Sequence, residues 1–356
     1  MTALIVRDVA HSAWGFVMKI FAPNGYLDME KIISSPYHFI MVLTGRGTGK
    51  TFGALDYLRK RATKGDRFMY FRRLQTQIDI VAKPEFSPFK KLDAVRHTVT
   101  DVKSLSKQTA GFYDDSTGDL LGYAAAVSTF ANLRGFDGSD IGTILFEECI
   151  PKLYESKIRD EGAALMDAYE TINRNRELEG DEPVKLVCIG NSNNSGADLL
   201  CYLNLVSRVE KMKKNGTMLY TDPARSLLLI VLKDSPMGEK KADTALYRFL
   251  GRESDYAKAA LDNEPPEEWG EFTGKLPLKE LSPVVSVGEI TVYRHKSRHT
   301  LYVSTHKQGS PPTYGTGQND MKRVKTLYRW IWQAYITQQV IFEETVCEIL
   351  FTKYFS

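Results

Sequence analysis

Short apolar runs alternating with helix-like segments around a glycine-rich loop predict an α/β fold with a mainly parallel sheet. Two observations carry this. Continuous apolar runs at residues 39–43, 141–146, 184–189 and 227–232 suit parallel strands buried on both faces. The first of them, Phe-Ile-Met-Val-Leu, stops at Thr-Gly-Arg-Gly-Thr-Gly-Lys-Thr, residues 44–51. Phe52, Leu55 and Leu58 then recur at helical spacing, and Arg59, Lys60 and Arg61 close that helix near the negative end of its dipole.

The remaining elements follow in order. A strand at residues 67–71 ends in Arg72-Arg73, and residues 111–127 alternate around Asp114-Asp115-Ser116-Thr117-Gly118 as a hairpin. The strand at 141–146 ends in Glu147-Glu148, and the one at 184–189 ends in Gly190-Asn191-Ser192-Asn193. After residue 233 the composition changes. Residues 234–268 are polar and read as helical, closing on the acidic, proline-containing run 262–268, a plausible linker. Residues 287–304 alternate as a second hairpin with Lys296 and Ser297 near its turn. Residues 321–353 read as one long amphipathic helix with Val324, Leu327, Trp330, Ile331 and Ala334 on its buried side. The expected organisation is a nucleotide-binding domain at 1–233, a linker or helical subdomain at 234–268, and a small domain at 269–356.

A chain of 356 residues, 43% hydrophobic and 26% charged, can bury a core in each of two domains. Its net charge of +3 is too small to imply a polyanionic partner unless the positive charge is clustered. Cys149, Cys188, Cys201 and Cys347 lack the paired spacing of zinc sites or disulfide frameworks and read as buried thiols in a reducing compartment. With no signal peptide and no apolar run of membrane-spanning length, a soluble intracellular protein without a membrane partner is expected.

The loop at 44–51 fits the phosphate-binding pattern except at its first position, where Thr44 replaces glycine. Backbone amides of Gly45, Arg46, Gly47, Thr48, Gly49 and Lys50 can wrap a phosphate, helped by the helix N-terminus. Lys50 would neutralise the β- and γ-phosphates of ATP, and the Thr51 hydroxyl would hold Mg2+. A second component is an acid ending a buried strand. Glu147 would hold the metal, and Glu148 would orient and deprotonate the attacking water. Asn191, at the end of the neighbouring strand, could sense the γ-phosphate or that water. Charge on the transferring phosphoryl group must also be met, with Arg46, Arg134, Arg174 and Arg176 as candidates.

In order along the chain, these residues are the loop at 44–51, Phe-Arg-Arg at 71–73, Leu-Arg-Gly at 133–135 and Ile-Leu-Phe-Glu-Glu at 144–148. Asn-Arg-Asn-Arg-Glu at 173–177 and a strand ending in Asn191 complete them. Together they resemble the genome-packaging ATPases of small short-tailed phages, compact relatives of large terminase subunits. The resemblance implies an additional-strand, conserved-glutamate (ASCE) P-loop ATPase. Such an enzyme assembles as a homo-oligomeric ring, expected to be a pentamer, on the portal of a procapsid and drives double-stranded DNA inside. Whether a packaging RNA takes part stays open. By the same resemblance Arg174 matches an arginine finger donated to the neighbouring subunit, with Arg176 as the alternative. Arg134 matches a basic residue acting across the interface, and Asn191 a residue coupling nucleotide state to motion. The expected location is the host cytoplasm, transiently on the procapsid and absent from the mature virion.

In large terminases the second domain is an RNase H-like nuclease with three metal-binding carboxylates. Here the corresponding hairpin offers Glu289 alone, with Ser304 on its second strand, and a lone glutamate cannot hold two metals. A vestigial RNase H-like domain without cleavage is therefore expected. It is basic: Arg294, Lys296, Arg298, Lys307, Lys322, Arg323, Lys325 and Arg329 are opposed only by Glu289 and Asp320, with Tyr293, Tyr302, Tyr314 and Tyr328 interleaved. Sequence-independent phosphate contacts suit that pattern. A further basic run, residues 208–216, reads as a loop facing DNA. A nucleotide-dependent assembly switch that moves nothing is the alternative reading.

Overall fold

The computed structural model describes residues 20–133, 135–152, 155–191, 194, 196–232, 235–261 and 273–356. Two compact units are present: Met1–Asn193 with Gly216–Glu264, and Asn194–Asn215 with Pro265–Ser356.

The first unit is built on a nine-stranded sheet. Its strands are β1 (Phe39–Thr44), β2 (Arg67–Arg72), β3 (Thr100–Ser104), β4 (Thr109–Asp114), β5 (Leu120–Ala126), β6 (Ile141–Glu147), β7 (Lys185–Gly190), β8 (Leu219–Asp222) and β9 (Leu227–Leu232). They lie in the order β3-β4-β5-β2-β6-β7-β1-β9-β8. From β5 through β9 every neighbouring pair is parallel. The flanking pairs β3–β4, β4–β5 and β8–β9 are antiparallel. The apolar runs are central because both faces of the sheet are covered; every residue of β9 is buried.

Register fixes the edge that matters. Leu43 of β1 pairs with Gly190 of β7, and Ile189 of β7 pairs with Glu147 of β6. Strand β7 is thus inserted between the loop-bearing and the acid-bearing strands, and all three release their functional residues at the same sheet edge. The helix after the loop spans Lys50–Ala62. Arg59 is not a solvated dipole cap as its position suggests. It is buried, with Nη2 2.7 Å from Asp114 Oδ2 and Nη1 donating to Thr100 Oγ1 at 2.6 Å, which ties this helix to the antiparallel flank.

Alternation along β2 sends its last arginines different ways. Arg72 faces the carboxylates after β6. Arg73, 1% exposed, reaches Glu161 with Nε to Oε1 at 2.6 Å and Nη2 to Oε2 at 2.9 Å. Glu161 opens the helix Glu161–Asn173, so this bidentate pair fixes the start of the helix that ends at Arg174. Within the same unit, residues after 235 form the helices Pro236–Ala242, Ala245–Leu250 and Asp255–Leu261. The linker run at 262–268 lies outside the described residues.

The second unit holds β10 (Leu281–Val287), β11 (Ile290–His295), β12 (Leu301–Ser304), β13 (Thr313–Tyr314) and β14 (Val340–Phe342), in the order β13-β10-β11-β12-β14. The expected hairpin at 287–304 is present as β11–β12. The single long helix at 321–353 is not. Helices Gln318–Leu327 and Arg329–Ile336 break at Tyr328 (φ −114°, ψ 25°), and the chain then turns at Gln338 (φ 57°). Buried Val340 and Phe342 join the sheet beside β12, and the helix Thr345–Phe355 closes the chain. Val324 and Ile331 are buried as expected, whereas Leu327 is 60% exposed and Trp330 38% exposed. Residues 206–215 are likewise a helix and not a loop, with Val206, Val209 and Met212 on its buried face. The four cysteines are buried and free, and no described helix is long and apolar enough to cross a membrane.

Removing one partner of a buried ion pair strands the other charge. Arg73→Ala should therefore lower unfolding stability by about 3–5 kcal/mol, read as a lower urea midpoint. The Arg73→Met/Glu161→Met double variant should recover most of it, because neither charge is then left buried alone.

Candidate active site

The loop after β1 is shaped by its glycines and by what covers it. Gly49 caps the helix in the left-handed region, φ 85°. A Cβ on Gly45 would lie 2.4 Å from the Leu261 carbonyl oxygen, so only glycine lets the helix Asp255–Leu261 close over the loop. The Arg46 amide donates to the Ala260 carbonyl at 2.9 Å, and its guanidinium donates to the Tyr256 hydroxyl at 3.0 Å. Thr44 is fully buried, with its hydroxyl 2.8 Å from that of Thr48. The threonine in place of glycine thus staples the loop internally across its turn.

Lys50 points back over the loop. Its Nζ donates to the carbonyls of Gly45 at 3.1 Å and Thr44 at 3.4 Å, and to Asn191 Oδ1 at 3.0 Å. Burial pulls its pKa from 10.5 down to about 8, against the charges of Glu147, Cys149 and Glu148. Arg46 pushes in the same direction as burial.

Glu147 ends β6 with its side chain 10% exposed. Its Oε1 accepts from the Thr51 hydroxyl at 2.6 Å, and its Oε2 accepts from the Tyr70 hydroxyl and from Arg72 Nη1, the latter at 3.2 Å. Burial, and then the charge of Glu147, push the Tyr70 phenol well above its ordinary pKa, so it stays a donor. Glu148 follows on left-handed backbone, φ 54°, a conformation costing about 1–3 kcal/mol in a non-glycine residue. Its carboxylate is half exposed and accepts from Arg72 Nη2 at 2.6 Å. One guanidinium therefore holds both acids.

Lys50, Thr51, Glu147, Glu148, Asn191 and Arg46 line a single cavity of about 380 Å³ with Lys152 and Glu155. A hydroxyl and a carboxylate meet at Thr51 and Glu147, a donor set that fits a hard divalent cation. Arg174 does not line this cavity. It sits on left-handed backbone (φ 49°) with Nη2 donating to the Phe136 carbonyl at 2.6 Å, while Arg176 Nη2 donates to the carbonyls of Gly138 at 3.0 Å and Ser139 at 2.8 Å. Arg134 lies outside the described residues.

The family model for podovirus DNA encapsidation protein (Gp16) matches residues 21–326 of the sequence. The chain belongs to this family. It is a genome-packaging ATPase of the podovirus DNA encapsidation type. Two solved structures share its fold. The Phi-28 gp11 DNA packaging motor has TM-score 0.60 at 16% identity, over 92% of this chain and 96% of that one. The bacteriophage Phi-29 viral genome packaging motor assembly has TM-score 0.60 at 19% identity, over 92% and 99%. No curated protein matches the sequence.

Several site residues of this encapsidation protein escaped sequence reasoning. Tyr70 and Arg72 act from β2, whose place beside β6 is not written locally; the Arg-Arg pair ending an apolar strand was the available signal. Lys241 is another: its side chain passes over Gly47, with Cδ 3.1 Å from where a Cβ would stand. In the second unit, Glu289 sits in the turn between β10 and β11, its Oε2 accepting from the Ser207 amide at 3.3 Å. Ser304 donates to Glu343, an acid that sequence reasoning did not consider.

The depressed Lys50 pKa sets a pH dependence. Below pH 8 the empty site already carries the ammonium, and above it the amine is neutral until phosphates restore the charge. ATP binding should therefore take up close to one proton at pH 9 and almost none at pH 7, measured by calorimetry in buffers of different ionisation enthalpy. Equal uptake at both values would mean that Lys50 does not face the phosphates.

Proposed function

We propose that this chain is an ATP-driven translocation motor that moves double-stranded DNA into a procapsid, hydrolysing ATP at the subunit interfaces of a ring. The observation that carries the reading is the convergence of Lys50, Thr51, Glu147, Glu148 and Asn191 at the ends of adjacent parallel strands, in a chain of the DNA encapsidation family. In this reading Gly45 through Thr51 wrap the triphosphate. Thr51 and Glu147 hold Mg2+, which supplies charge neutralisation on the phosphate oxygens when bound. Glu148 takes a proton from the attacking water. Arg72 holds Glu148 and must yield it for that step, which makes Arg72 a positioning residue. Asn191, bonded to Lys50, exchanges that partner when a γ-phosphate arrives and so reports nucleotide state.

Among the described residues, Arg46 is the one arginine that lines the cavity, and Tyr256 and Ala260 hold it from the covering helix. Arg174, exposed at the end of a helix fixed by Arg73, is suited to reach a neighbouring subunit's nucleotide, with Arg176 beside it and Arg134 as a second interface cation. The partners are double-stranded DNA, the portal, and further copies of this chain in a ring expected to be a pentamer; a packaging RNA remains open. The second unit is read as a vestigial RNase H-like domain that contacts nucleic acid without cutting it. The site of action is the procapsid in the host cytoplasm.

Mixing tests the shared site. Arg174→Ala and Lys50→Ala subunits should each lose at least 100-fold in ATPase rate, given what an arginine finger contributes. Random co-assembly would restore intact interfaces in roughly a quarter of cases, so the mixture should regain hydrolysis well above either variant. Duplex DNA should stimulate the wild type. A mixture as inactive as its parts removes the trans assignment, and indifference to DNA favours a nucleotide-dependent assembly switch.

A further inference from the structure

A cavity within the second unit shares no lining residue with the candidate ATPase site. It holds about 620 Å³ between the turn joining β11 to β12 and the helix Arg329–Ile336. That is within the range of sites that enclose a small organic ligand. Arg294, Lys296, Arg298 and His299 supply its basic wall, and among the described residues no carboxylate lines it. Lys296 is oriented by a 2.7 Å bond from Nζ to the Lys279 carbonyl.

The opposite wall is aromatic. Trp330 and Trp332 lie on the same helix and have different fates. Trp332 packs against Tyr335 and Phe351, at 5.2 and 6.3 Å between ring centroids. Trp330 turns to the cavity, 38% exposed, with the Arg294 guanidinium carbon 5.2 Å from its ring centroid. Gln333, Thr337 and Gln339 add amide and hydroxyl groups around it.

We propose that this cavity binds an unpaired nucleotide of a nucleic-acid strand, its base against Trp330 and its phosphates among Lys296, Arg298 and His299. A bare phosphate would leave the indole unused. A duplex presents phosphates on its outside and keeps its bases stacked, so along its length it offers no π-face to the indole. An unpaired nucleotide offers both, and base–indole stacking combined with a cationic groove is the physics of single-strand recognition. The polar groups beside Trp330 meet base edges without demanding one sequence. The inference extends the reading of a basic, nucleic-acid-facing second unit by naming what one part of it holds.

Anisotropy of a labelled ten-nucleotide single strand, against a duplex of equal length, tests this on the full chain in a Lys50→Ala background that silences the nucleotide loop. Trp330→Ala should weaken single-strand binding by about 5- to 100-fold, while Trp330→Phe keeps most of it. Arg298→Glu, at an exposed position where folding is not at stake, should weaken it as well and flatten its salt dependence. Duplex affinity should stay nearly constant across the Trp330 series. Equal loss for strand and duplex, or no loss in Trp330→Ala, overturns the pocket. Competition by micromolar adenosine monophosphate would make it a site for free nucleotide and overturn the strand assignment. If the chain binds duplex but no single strand, only the pocket fails. If it binds neither, the nucleic-acid reading of the unit fails with it.

Discussion

The structure of the first unit turns on a buried carboxylate. Buried where it is, the Glu147 carboxylate needs hydrogen-bond donors, and it draws them from separate elements: Thr51 at the head of the loop helix, and Tyr70 and Arg72 on β2. A carboxylate satisfied in this way holds β2, β6 and the helix N-terminus in one register. Lys50 closes the arrangement from the loop, bonded to Asn191 on the strand between. The catalytic edge is thus one hydrogen-bonded assembly spanning adjacent strand ends.

Charge balance shows why the assembly is built to change state. The cavity wall carries Arg46, Lys50 and Lys152 against Glu147, Glu148 and Glu155, with Arg72 bridging the central acids. A triphosphate brings several negative charges into this balance. Each internal partner of a cation then competes with phosphate oxygens: Asn191 and the loop carbonyls for Lys50, Tyr256 for Arg46. A Lys50 amine buried deeply enough to titrate near 8 is poorly satisfied by neutral acceptors, and the incoming charge corrects that. Nucleotide binding is therefore a rearrangement of bonds already present in the empty site.

Much of this was legible in the sequence because it is local. The loop at 44–51, the acids ending an apolar strand and the amide at Asn191 each sit at a strand end, where spacing alone assigns a position. What was not legible depends on which elements become neighbours. Arg72 matters only because β2 lies beside β6, and Lys241 and Tyr256 only because the helices after 235 fold back over the loop. Arg59 reads only as a charge closing its helix near the negative end, and it is in fact buried on Asp114, since periodicity reports a helix face but not its cover. The region 321–353 misled for a related reason. Val324 and Ile331 keep helical spacing across the break at Tyr328, while a strand as short as Val340–Phe342 leaves too few residues for alternation to show.

The adjacent arginines at the end of β2 join these points into a mechanical argument. Strand alternation forces Arg72 and Arg73 to opposite faces, so one holds Glu148 while the other holds Glu161. Glu161 begins a helix that ends at Arg174, whose guanidinium grips the carbonyl of Phe136 in the segment leading into β6. Glu148 and the exposed Arg174 are therefore linked through hydrogen-bonded groups at the end of β2 and the helix Glu161–Asn173. Arg73 is buried and bidentate, so it cannot follow its neighbour by swinging freely. Under the proposed function, Glu148 exchanging Arg72 for a water molecule would load the end of β2, next to the residue that fixes this helix. Bistable elements, not gradual deformation, transmit such shifts through a close-packed interior. Positive φ at both Glu148 and Arg174 places strained residues at the two ends of this route.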